Sequence, residues 1–164
     1  LPYPHKNSHP MRYLLFAFVI IILVSSACSS AGDAVGDGVI APAITGSETY
    51  LVGQTVYNTQ CASCHGINGE GQFPDAPLEP DITGRYGAPP HDDTGHTWHH
   101  DDDLLIRIIR EGGMGDPTNF YAMPALGSVL SDAEIKAVLA YIKTMWTQEH
   151  IDFQRDRTIA TREQ

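Results

Sequence analysis

Cys61, Cys64 and His65 stand together in the segment CASCHG at 61–66, and their spacing carries the most specific chemistry in the chain. C-x-x-C-H is the attachment pattern of a covalent c-type haem. Two thiols one helical turn apart can each add to a vinyl group on one porphyrin edge. The adjacent imidazole of His65 is then held beneath the iron as its proximal ligand. Two thioether bonds retain the group even at an exposed edge, so a small domain can build its core around it. A thioredoxin-type redox pair would need a βαβ pattern, and none surrounds this segment. A zinc site would need more ligands, yet Cys28 is the only other cysteine and no histidine pair follows Cys64 at the zinc-finger distance.

A haem iron has a sixth position, and four methionines are available: Met11, Met114, Met123 and Met145. Met11 borders an apolar tract, and Met145 falls on the hydrophobic stripe of a helix, where packing is its natural task. Met114 lies among Gly112, Gly113 and Gly115, a loose support. Met123 precedes Pro124, which stiffens the backbone. Met123 is therefore the expected distal ligand, in FYAMPAL.

Helices must position these groups. Glu48 to Gln60 reads as a helix leading into the haem motif, with Leu51, Val52 and Val56 at helical spacing. Asp101 to Glu111 opens on three acids, which suit a helix N-terminus, and Gly112 supplies its stop. Its buried stripe is Leu104, Leu105, Ile108 and Ile109. Ser131 and Glu134 form a capping box, after which Ile135, Val138, Leu139, Ile142, Met145 and Trp146 keep a helical period. No convincing strand appears.

The N-terminus is a membrane device. Leu14 to Val24 is unbroken apolar sequence, with Lys6 and Arg12 before it and Asp33 and Asp37 after it. Basic flank inside predicts that the chain beyond residue 28 faces away from the cytoplasm. Residues 1–28 are expected to be a retained anchor with a cytoplasmic N-terminus. A lipoprotein signal cut before Cys28, which would then carry the lipid, is the second reading; a cleaved export signal is the third. Residues 29–46 are Gly/Ala-rich and read as a flexible linker spanning about 25 Å. Residues 47–147 form the haem domain, and 148–164 read as a polar tail, either a docking strap or a frayed terminus.

Charge divides along the same lines. The chain of 164 residues carries a net −10, of which residues 48–147 hold −9. That excludes nucleic acid as a partner, because a phosphate backbone is gripped by Lys and Arg. With 42% hydrophobic residues the chain can bury a core.

From Tyr57, the CASCHG motif, Pro77-Leu78, the Met123-Pro124 loop and the amphipathic helix after Ser131, residues 47 to 147 resemble a class I (mono-haem) cytochrome c of the membrane-anchored bacterial type. The resemblance implies an all-α fold of about four helices around one covalent haem c. It implies a backbone carbonyl near Pro77 holding the ring N–H of His65. It also implies crossing first and last helices, with Gly53 set against Tyr141. The segment 85–103 departs from a minimal member of the family. It holds His91, His96, His99 and His100 beside five acids. A second metal there is not expected; the bland alternative is a polar loop whose Trp98 or a histidine donates to a haem propionate.

His and Met ligation leaves iron no open position, which suits one-electron transfer without bond-making and without a small-molecule substrate. An open sixth position would instead make a gas sensor or a peroxidase, and a static docking subunit is the third class. The anchor, linker and tail suggest membrane lipid and redox proteins as partners, by analogy of architecture the other subunits of a respiratory or photosynthetic complex such as alternative complex III.

Overall fold

Ser47 begins the first helix by accepting the Tyr50 N–H on its hydroxyl at 3.1 Å. The structure, a computed structural model, describes Pro2 and residues 38–164. The apolar tract at 14–24, Cys28 and the first part of the linker lie outside the described residues. Helix α1 spans Glu48–Val56, a π-helical turn covers Tyr57–Cys61, and the single turn α2 covers Ala62–His65. The expected continuous helix into the haem motif is thus broken in register at Tyr57. Gly66, at φ +81°, then stops it.

Helix α3 spans Asp102–Glu111 and α4 spans Asp132–Ile142, followed by a 3₁₀ turn over Lys143–Met145. Asp101 caps α3 by accepting the Leu104 N–H at 2.8 Å, and Gly112 ends it at φ +95°. The capping box of α4 is present with both arms, Ser131 N–H to Glu134 at 2.8 Å and Glu134 N–H to Ser131 at 3.3 Å. The core joins Val56, Tyr57, Leu105, Ile109, Ile135, Val138, Leu139, Ile142 and Trp146. Among the described residues there is no strand; Tyr86 and Phe120 form one isolated bridge.

Helices α1 and α4 pack where Gly53 permits it. A Cβ at Gly53 would fall 2.2 Å from the Ala137 carbonyl oxygen and 2.7 Å from Tyr141 Cβ, so only glycine allows this approach. The Tyr141 ring lies between those of Tyr50 and Tyr57, with centroids at 5.2 and 5.5 Å.

The two flanks of the haem domain differ from their sequence reading. Residues Gln148–Arg162 form a helix, α5, which buries Gln154 and Thr158. The cause is a buried polar cluster. Lys143 Nζ donates to Asp102 at 2.6 Å, to Gln154 at 2.7 Å and to the Ile40 carbonyl at 2.6 Å. Asp102 also accepts the Ile40 N–H at 2.7 Å. Residues 38–46, read as the end of a mobile linker, are therefore held against the domain: Val39 and Ala43 are buried, and the Ala43 N–H reaches the Ala140 carbonyl at 3.0 Å. Buried charges need partners on every side, and here the chain's two flanks supply them. Among the described residues no helix is long and apolar enough to cross a membrane.

Candidate haem-attachment site

The turn of α2 and the preceding π turn set Cys61 and Cys64 on one short helical segment beside His65. Both cysteines are free thiols, Cys61 buried and Cys64 exposed. Burial, and the neighbouring Cys64, push the Cys61 thiol up to about 11, so it rests as the protonated thiol. His65 is buried, and burial holds its imidazole below the usual histidine range, in the neutral form that ligates metal.

The His65 Nδ1 lies 2.8 Å from the Pro89 carbonyl oxygen. A carbonyl only accepts, so Nδ1 carries the proton and the lone pair is left on Nε2. This donor set fits a haem c: two unpaired thiols at the attachment spacing and a buried neutral imidazole with a fixed tautomer.

The carbonyl comes from Pro89, not from the neighbourhood of Pro77. The reason is a zipper behind α2. Gly71 N–H bonds the His65 carbonyl at 2.8 Å, and Gln72 N–H bonds Ala88 at 3.0 Å. His91 N–H then bonds Gly69 at 2.7 Å. Residues 73–87 become an excursion, Pro77 lies within it, and Pro89 is returned to His65. The Pro89-Pro90 pair was the available signal.

Met123 is partly buried against the core, and its carbonyl accepts the Gly113 N–H at 3.1 Å. A Cβ at Gly113 would sit 3.0 Å from Met123 Cβ, and one at Gly112 would sit 2.9 Å from its carbonyl oxygen. The glycines after α3, which looked like a loose support for Met114, instead admit the Met123 segment. Met114 itself is 55% exposed, with its sulfur 3.3 Å from the Arg107 guanidinium. The 73–87 excursion braces the same segment: the Tyr121 N–H bonds the Tyr86 carbonyl at 3.0 Å, and Tyr121 donates its hydroxyl to Asp81 at 2.8 Å.

The histidine-rich loop does several separate jobs. Trp98 donates its indole N–H to Gly95 at 3.1 Å, so that donor is engaged within its own loop and not offered to a propionate. The ring stacks on His150 of α5, centroids 3.6 Å apart and 8° from parallel. His96 and His100 lie edge to face at 5.5 Å, and His99 packs on Trp98 at 3.8 Å. Among the described residues no three His, Cys, Asp or Glu side chains gather as a metal-binding group. His91 leaves the loop for the haem side, where its ring stacks on His65. Burial and the adjacent His65 hold it well below the usual histidine range. Neither that stack nor the Lys143 cluster had a signal in the one-dimensional pattern.

The profile described as cytochrome c matches residues 51–146. Two curated relatives are the cbb3-type cytochrome c oxidase subunit CcoP of Azospirillum brasilense and its counterpart in Azospirillum sp. (strain B510). Each is 31% identical over 93 residues, which is 57% of this chain and 27% of the relative. The chain therefore spans about a quarter of the length of the curated relatives it matches. No solved structure matches it. With the match enclosing the thiol pair, the pinned imidazole and the helical core from Leu51 to Trp146, the chain belongs to the cytochrome c family and has the all-α class I fold.

Proposed function

We propose that the chain is a one-electron carrier with one haem c attached at Cys61 and Cys64 and ligated by His65 and Met123. The observation that carries this is the His65 imidazole, buried next to two free thiols and fixed at Nδ1 by Pro89. Bound haem c supplies an Fe(III)/Fe(II) couple that takes and returns one electron. The chain's part is to hold the ligands through that change. Pro89 keeps the His65 tautomer and orientation. Gly112 and Gly113 admit the Met123 segment, and Tyr86, Asp81 and Tyr121 brace it from the other side. Groups already in place need little reorganisation when charge changes at the iron.

The carrier works at the outer face of the membrane, as a subunit of an electron-transport complex. The relatives support this placement, since both are named as subunits of a cytochrome c oxidase. The apolar tract at 14–24, with its basic flank before and acidic flank after, supports the side.

Met123→Ala in the purified holoprotein tests the site. It is expected to lose the low-spin Met-ligated spectrum and to bind carbon monoxide rapidly, where the parent reacts slowly. An unchanged spectrum removes Met123 from the iron. Rapid carbon monoxide binding by the parent would favour the sensor or peroxidase reading. Placement is tested by purification from native membranes in mild detergent: co-migration with redox subunits is expected, and a lone 17.9 kDa species would count against it.

A further inference from the structure

We propose that His91 is a positioning residue for the haem ligand His65, fixing the plane of its ring by stacking on its face. The two ring centroids are 3.9 Å apart and the planes 16° from parallel. Stacked rings at that distance resist rotation of either about its own bond. The hydrogen bond to Pro89 fixes the ring at one edge only. A second constraint on the face turns a hinge into a fixed plane.

His91 can serve as a reference because it is itself held. Thr97 Oγ1 donates to the Pro90 carbonyl at 3.2 Å, which uses its only proton. The His91 Nδ1, 3.0 Å from the same oxygen, must then be the donor. The main chain of His91 is tied at both groups, its N–H to Gly69 at 2.7 Å and its carbonyl to the Trp146 indole at 2.7 Å. Trp146 is buried at the end of the 3₁₀ turn after α4, so the stack is anchored to the helical core. Pro89, which holds one edge, and His91, which holds the face, are two residues apart in one strap. A single loop thus sets both constraints on the ligand.

Two consequences follow at the iron. The plane of an axial imidazole sets the anisotropy of the ferric low-spin signal. The electron-rich face of an aromatic ring also favours the more positive ligand set, which is the ferric one. Loss of the ring should therefore move the ferric signal and raise the midpoint potential.

This inference rests on His65 being the proximal ligand, and the two can fail separately. The wild-type holoprotein is expected to give a low-spin spectrum with a histidine ligand in near-infrared magnetic circular dichroism, and one without that histidine signature removes the ligand assignment before any variant is made. Given that spectrum, electron paramagnetic resonance and redox titration are compared for His91→Leu, His91→Phe and Thr97→Val holoproteins. The Leu variant is expected to show displaced g values and a higher midpoint. The Phe variant, which restores a ring face, is expected to return both towards the parent. Thr97→Val, which frees the His91 ring to turn, should broaden the ferric signal. Parent-like g values and potential in His91→Leu would overturn the proposal, as would a Phe variant that behaves like Leu. If His91→Leu takes up no haem, an unbroadened signal in Thr97→Val overturns it.

Discussion

Asp102 and Lys143 are the most consequential polar pair outside the haem site. Their side chains are 0% and 2% exposed, at 2.6 Å. Arg110 and Asp132 make a pair of similar length, 2.7 Å, but are 45% and 77% exposed. Water decides the difference. Removing one partner of a buried pair strands a charge and costs about 3–5 kcal/mol. Removing one partner at the surface costs about 1 kcal/mol or less. Lys143→Met is thus expected to lower holoprotein stability severely and Arg110→Ala hardly at all, as read by urea denaturation. Asp81 shows a charge acting by hydrogen bonds alone. It accepts from Thr83, Arg85 and Tyr121, and chiefly the Thr83 and Tyr121 hydroxyls hold its carboxyl down to about 2. Its folded value lies below the ordinary one, so its stabilisation is complete above about pH 4 and is lost as pH falls through about 2. Asp81→Ala should flatten the dependence of stability on pH between those limits, measured by denaturation across that range. A slope equal to the parent's would show that Asp81 contributes nothing.

Among the elements, the crossing of α1 and α4 turns on one missing side chain. Gly53→Ala would gain about 1 kcal/mol of helix propensity. It would also drive a methyl to 2.2 Å from a backbone oxygen of α4, which cannot yield as a flexible side chain could. Overpacking of that kind costs about 1–3 kcal/mol or more, so the variant should be net destabilised. Calorimetry of the holoprotein is the check, and a higher Tm would contradict the crossing geometry. Helix α5 illustrates the opposite case, an element built on polar contacts. Its sequence QEHIDFQRDRTIATR has few apolar residues, and no hydrophobic stripe announces it. Thr147 caps it, and Gln154 and Thr158 dock it onto Asp102, whose N–H reaches the Thr158 hydroxyl at 3.1 Å. A polar residue that is buried for hydrogen bonding looks, in one dimension, like a solvated one.

At the scale of the molecule, charge is the property a partner meets first. The −9 of residues 48–147 would attract a basic redox partner over long range. Raising ionic strength from about 0.01 M to about 0.1 M shortens the screening length from about 30 Å to about 10 Å. The bimolecular rate of electron transfer to such a partner should fall by about tenfold or more over that interval. Stopped-flow measurement against salt reads it directly, and a flat profile would leave the acid with solubility alone. The domain also ties its own flanks: residues 38–46 and α5 both close on Lys143 and Asp102.

Local chemistry was legible without coordinates. The haem motif is contiguous, the caps of α3 and α4 are read within four residues, and the apolar period of α4 repeats every turn. Gly53 against Tyr141 followed from resemblance and holds in the structure. Interactions between distant segments were not legible. Pro89 reaches His65 across 24 residues, and Lys143 meets Ile40 across 103. Stacking of His91 on His65 depends on the 73–87 excursion folding out of the way. The physical reason is the range of the forces involved. Helix caps and amphipathic periods are decided by neighbours a turn away, so they are written in order along the chain. Buried hydrogen bonds and ring stacks are satisfied by whichever segment the fold brings near, and only the folded chain chooses which one that is.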